Sequence, residues 1–129
     1  MAARAPAKPT VAELEILRAL WERGPSTVRA VHEALSADRG TGYTTILKMM
    51  QRMTNKGLLS RDESARTHVY TARYSQDRTQ TQLVRDLLQR AFGGSARALV
   101  MQALSAGSVS TDELQQIRKL LDQLTEDQQ

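Results

Sequence analysis

The stretch that decides the fold is residues 40–59, GTGYTTILKMMQRMTNKGLL. From Tyr43 to Lys56 it holds neither glycine nor proline, so a helix can run the whole way. On a wheel of about 100° per residue with Ile46 at zero, Met49, Met50 and Met53 fall within about 60° of it. Thr44, Thr45, Lys48, Gln51, Arg52 and Asn55 take the opposite arc, and Gly57 supplies the C-terminal stop. One face is therefore made for a core. The other carries cations, amides and hydroxyls, with no acidic residue between Gly42 and Ser60. Lys48, Arg52 and Lys56 suit phosphates or guanine edges, and Thr44, Thr45, Gln51 and Asn55 suit bases or backbone.

Upstream, TVAE at Thr10–Glu13 is a capping box that satisfies free N–H groups at a helix start. Leu14, Leu17 and Trp21 follow at helical spacing with Ile16 and Leu20 beside them, until Gly24 and Pro25 end the helix. A second short helix begins near Thr27 and turns Val28, Val31 and Leu35 inward. SADRGTG is a loop, and the third helix starts near Tyr43. Its methionines are expected to meet Leu14, Leu17 and Val31.

Downstream, LLSRD and HVYTARY have strand character and are joined by ESART, so a β-hairpin is expected with Arg66 at or near its tip. It adds Arg61, Arg66 and Arg73 to the basic half of the chain. Helical periodicity returns at about Gln80. Val84, Leu87, Leu88 and Ala91 mark one stripe, closed by Phe92 and two glycines. A helix over about Ser95–Ala106 carries Leu99, Val100, Ala103 and Leu104, and a last one starting at STDE, or one residue earlier, presents Leu114, Ile117, Leu121 and Leu124. Three short helices with one apolar stripe each make a poor core alone, so pairing with a second copy is expected, with Leu87, Leu99, Leu114, Ile117 and Leu121 at the contact.

The 129 residues carry a net charge of +4, unevenly placed. Residues 1–74 hold 12 Lys or Arg against 7 Asp or Glu, and residues 75–129 hold 6 against 7. An anionic partner suits the first half and a protein partner the second. With no cysteine, disulfides, thiolate metal sites and cysteine nucleophiles are excluded. His32 and His68 lie far apart with no partner at ligand spacing. His32 reads as a polar residue on the second helix, and His68 as a strand residue with at most a phosphate contact. No serine sits in a nucleophile elbow, and GTG lacks the rest of a phosphate loop. No catalytic residue, metal or cofactor is expected. No run of about 18 apolar residues could span a bilayer, and MAARAPAKPT lacks the apolar core of a signal peptide. A cytoplasmic protein with no membrane partner is expected.

The order helix, helix, helix, hairpin is that of a winged helix-turn-helix, whose third helix enters the major groove while the hairpin lies along the backbone. The chain is thus expected to be mainly α with a small β-hairpin. Residues 1–9 form a flexible arm, 10–75 the winged helix-turn-helix DNA-binding domain, and 76–129 a C-terminal helical dimerisation domain.

At PTVAELEILRALWERGPSTVRAVHEAL, GYTTILKMMQRMTNKGLL and HVYTARY, and on to about Leu124, the chain resembles the penicillinase repressor family, which includes the β-lactamase, methicillin-resistance and copper-responsive repressors. The resemblance implies a homodimeric transcriptional repressor on a palindromic double-stranded operator. Carried onto matching positions, it places Tyr43, Thr44, Thr45 and Lys48 at the operator, Arg52 nearby and Arg66 in the wing. The copper-responsive members carry paired cysteines that this chain lacks, which excludes copper sensing through thiolates. The β-lactam-responsive members are cleaved at an Asn-Phe step, where LVMQAL offers Gln102 and Ala103. An inactivating protease or another inducer remains an open partner. Two rival functions are a small-molecule-responsive winged-helix regulator of another family, and a protein-interaction module whose polar helix face is merely solvated.

Overall fold

The computed structural model describes residues 8–128, the side chains of 36–39 excepted. Eight elements follow one another: α1 (Val11–Arg23), α2 (Val28–Arg39), α3 (Tyr43–Lys56), β1 (Leu59–Asp62), β2 (Val69–Ala72), α4 (Gln76–Phe92), α5 (Ala96–Ala106) and α6 (Thr111–Asp127). They form two compact units that divide between Leu83 and Val84, inside α4. Most of the arm expected over residues 1–9 lies outside the described residues, and Pro9 at its end is buried.

In the first unit, α1 opens on the expected capping box. The Glu13 N–H donates to Thr10 Oγ1 at 3.2 Å and the Thr10 N–H donates to Glu13 Oε1 at 2.9 Å. Gly24 ends the helix at φ 84°, a conformation open to glycine, and its N–H reaches the Leu20 carbonyl at 2.8 Å. Thr27 caps α2, its Oγ1 accepting the Ala30 N–H at 3.1 Å.

The core joins Ile16, Leu17 and Leu20 of α1, Val28 and Val31 of α2, Ile46, Met50 and Met53 of α3, and Leu58, Leu59 and Tyr70 of the hairpin. Met50 and Met53 are fully buried. Met49, expected inward with them, is only half-buried, as are Leu14 and Trp21, because a round helix on a finite core covers the centre of its stripe before the edges.

The hairpin is antiparallel, with Leu59 opposite Ala72 and Arg61 opposite Tyr70. Side chains alternate along a strand, so Arg61 shares the inner face with Leu59 and Tyr70. Tyr70 also pairs on its other side with Ser26, through N–H to carbonyl bonds of 3.0 and 2.8 Å. This bridge sews the wing to the α1–α2 turn. A second stitch comes from Trp21, whose Nε1–H donates to the Tyr74 carbonyl at 3.0 Å.

In α4 the helix begins at Gln76, a turn before the apolar periodicity does. Ser75 Oγ accepts the Arg78 N–H at 3.1 Å, and Thr79 is buried in the first turn. Arg78 lies over the Tyr74 ring at 4.7 Å.

The second unit is helical throughout. Gly93 and Gly94 have φ of 57° and 85°, and the Gly94 N–H reaches the Leu88 carbonyl at 2.9 Å, closing α4. Ser95 and Ser110 cap α5 and α6, each accepting a backbone N–H at 3.1 Å. No residue of α5 or α6 is buried. Val84, Leu87, Val100, Met101, Leu114, Leu120, Leu121 and Leu124 are 44% to 55% exposed. Among the described residues no helix is long and apolar enough to cross a membrane.

Candidate nucleic-acid interface

Burial of Ile46, Met50 and Met53 sets the rotation of α3, and that rotation decides which side chains face outward. Thr44, Lys48, Gln51 and Asn55 stand in one exposed row at alternate spacings of four and three residues, with exposed Thr45 and Arg52 beside it. Thr54, between the two faces, turns its hydroxyl back onto the Met50 carbonyl at 2.8 Å. The helix begins at Gly42, which offers no side chain to its free N–H groups. Unclosed N–H groups and the aligned peptide dipoles make that end favourable for anions.

A groove of about 450 Å³ runs between α3, the start of α2 and the wing. It brings together Tyr43, Gln51 and Arg66, all named from the sequence. With them it gathers Arg29, Arg61, Thr67 and His68. Thr44, Thr45, Lys48, Arg52 and Asn55 lie outside this lining, on the exposed surface of the helix.

Periodicity and charge pattern alone do not single out Arg29. A signal exists: it lies two residues after the Thr27 cap, in the first turn of α2, and in helix-turn-helix proteins the helix before the reading helix crosses the phosphate backbone. Arg61 reaches the groove because it stands opposite Tyr70. Its guanidinium is stabilised in the charged form first by the hydrogen bond to the Tyr70 side chain and then by Glu63, its ion-pair partner. At the wing tip Asp62 accepts the Ser64 N–H at 2.9 Å, and this bond holds its carboxyl below the usual range.

Lys56 departs from expectation. Its residue type suits a phosphate as those of Lys48 and Arg52 do, but its Nζ donates to Glu13 Oε1 at 2.7 Å and Oε2 at 3.0 Å. On the wheel it lies about 80° from Ile46, nearer the apolar stripe than the centre of the polar face, which brings it against α1. Burial alone would raise the Glu13 carboxyl, but hydrogen bonds from Lys56 and Thr10, together with the lysine charge, outweigh that and lower it. Lys56 thus ties the end of α3 to the start of α1. Arg73, also counted with the basic wing, lies 5.9 Å from the Tyr74 ring.

His32, read as a plain polar residue of the second helix, is half-buried and bonded through Nε2 to the Thr41 carbonyl at 2.9 Å. Among the described residues no group of three or more His, Cys, Asp and Glu is placed to hold a metal. The arrangement is an acid-free, hydrogen-bonding helix face beside an arginine-lined groove, chemistry that suits an anionic polymer.

The sequence pattern of the penicillinase repressor family matches residues 9–123. The transcriptional regulator BlaI of Mycobacterium tuberculosis is 35% identical over 114 residues, which cover 87% of this chain and 81% of that one. The penicillinase repressor of Bacillus licheniformis is 24% identical over 112 residues, covering 87% of this chain and 88% of that one. Among solved structures, that of monomeric Bacillus licheniformis BlaI in complex with the blaP half-operator superposes with a TM-score of 0.50 at 26% identity, over 57% of this chain and 89% of that one. With its pattern matched over residues 9–123, this chain belongs to the penicillinase repressor family, whose members are transcriptional repressors and not enzymes.

Proposed function

We propose that the protein represses transcription by occupying a palindromic double-stranded operator in the cytoplasm as a homodimer, each winged helix taking one half-site. The observation that carries the reading is the exposed, acid-free face of α3 beside the arginine-lined groove, on a chain of this family. Thr44, Lys48, Gln51 and Asn55 face the major groove, with Tyr43, Thr45 and Arg52 at its margins. Arg66 contacts the backbone from the wing, joined by Arg29.

Support for the dimer comes from the second unit. Leu87, Leu114 and Leu121 are about half exposed, and Leu99 and Ile117 are half-buried. Covering the exposed half of such a side chain stabilises by about 1 kcal/mol. A second copy presenting the same stripes covers them reciprocally. Joining two half-site contacts in one particle raises apparent affinity by about 10²–10⁴-fold, so an inducer or protease that separates the copies releases the operator.

The test is fluorescence anisotropy of the protein with duplexes selected from a random pool, titrated with salt. Each lost phosphate contact lowers the slope of log K against log salt by about 0.9, so Lys48→Ala with Arg52→Ala is expected to lower it by up to about 2. Sedimentation should show the double variant still dimeric. Unchanged affinity in that variant favours the protein-interaction reading. Absence of any salt-dependent binding by the wild type refutes the repressor.

A further inference from the structure

We propose that His32 is a positioning residue for sequence discrimination: it holds the turn from which α3 starts and thereby fixes where Tyr43, Thr44 and Thr45 meet the bases. The inference rests on α3 being the operator-reading helix.

Only Gly40, Thr41 and Gly42 separate α2 from α3. Gly40 has φ 61°, and among the described residues a Cβ placed on either glycine would meet nothing within 4 Å, so neither glycine is packed against a neighbour. Gly42 contributes no side-chain cap. Left to itself, a turn of this composition would give the first turn of α3 freedom to fray. His32 removes that freedom from both sides of Gly42. Its Nε2–H donates to the Thr41 carbonyl at 2.9 Å, and its ring meets the Tyr43 ring edge-on, with centroids 5.9 Å apart and planes at 81°. A carbonyl only accepts, so Nε2 carries the hydrogen.

Short side chains at the start of a helix cannot compensate for a shifted backbone. A base contact made by Thr44 or Thr45 works over roughly 2.7–3.2 Å, and a displacement of about 1 Å breaks it. Lys48 and Arg52 are long and follow a phosphate through the same displacement. Losing His32 therefore costs discrimination between sequences and spares the general attraction to DNA.

The experiment compares His32→Ala and His32→Gln with wild type, measuring affinity for a duplex selected by the wild-type protein and for a scrambled duplex of equal length, each over a salt series. A glutamine amide can donate to the Thr41 carbonyl as the imidazole does. His32→Ala is expected to lose about tenfold in the ratio of selected to scrambled affinity, the scale of one lost base-pair contact. The salt slope and the affinity for scrambled duplex should hold, and His32→Gln should recover most of the ratio. An unchanged ratio in His32→Ala overturns the proposal. So does a parallel loss on both duplexes, or a loss of thermal stability that glutamine fails to restore, because either marks a general structural role. A wild-type protein that prefers no duplex refutes the operator reading itself, and His32's role with it.

Discussion

Replacing Lys56 by methionine is expected to destabilise the first unit by about 2 kcal/mol at neutral pH and to leave the salt dependence of DNA binding unchanged. The magnitude follows from the Glu13 carboxylate, which accepts from Lys56 at 2.7 and 3.0 Å and from the Thr10 N–H at 2.9 Å. The Glu13 side chain is 7% exposed and that of Lys56 32%. Removing one partner of a buried pair costs about 3–5 kcal/mol, while an exposed pair is worth about 0–1 kcal/mol. With one charge buried and the other a third in water, the cost falls between, near 2 kcal/mol, which lowers Tm by about 8–16 °C in a domain of this size. The pH dependence reports the same contact. The folded-state Glu13 carboxyl lies below its ordinary value of 4.5, so its contribution is present above that value and fades as pH falls through the folded-state pKa. The gap in Tm between wild type and Lys56→Met should therefore be widest at neutral pH and narrow in acid. Circular dichroism melts across that range test it, with anisotropy against salt in parallel. A variant that melts like wild type but loses about 0.9 in salt slope would return Lys56 to the DNA face and refute the clamp.

Three further substitutions probe the remaining joints. Met50→Ala, at a fully buried position, should cost about 2–5 kcal/mol, read as a lower urea midpoint with the m-value retained. Trp21→Phe keeps an aromatic ring but removes the donor to the Tyr74 carbonyl, and should cost about 1 kcal/mol in the same assay. Gly57→Ala forces a side chain into φ 85°, with the Arg73 guanidinium 3.5 Å from the new Cβ, and should lose about 1 kcal/mol or more by thermal melting.

What the sequence made legible was local. The capping box at Thr10, the methionine stripe of α3 and the glycine stops depend on residues within a turn or two of each other, so periodicity and cap chemistry suffice to find them. The start of α4 precedes the helical periodicity by a turn because QDRT carries no apolar residue for a periodicity to catch, although Ser75 followed by Asp77 is a fair N-terminal signal. The bridge between Ser26 and Tyr70 could not be read, since nothing in either neighbourhood specifies the other. It matters for the site: with Tyr70 held to the α1–α2 turn, Arg61 and Arg29 face one groove.

The two lysines of α3 show where pattern reading stops. Lys48 and Lys56 lie two turns apart on one helix, and composition treats them alike. They differ by about 80° around the axis, an angle that can be computed from sequence alone. That angle puts Lys48 in the row with Thr44, Gln51 and Asn55 and carries Lys56 to the edge of the buried stripe. The angle alone could not say what waits there, and an exposed stripe edge would have left Lys56 free for phosphate. Its fate is decided by Glu13, 43 residues earlier, whose carboxylate is aimed by the capping box it completes with Thr10. A helix cap read as a local stability device thus also takes Lys56 out of the exposed cation set of α3, because a lysine bound to a largely buried carboxylate cannot turn away without leaving that carboxylate unpaired.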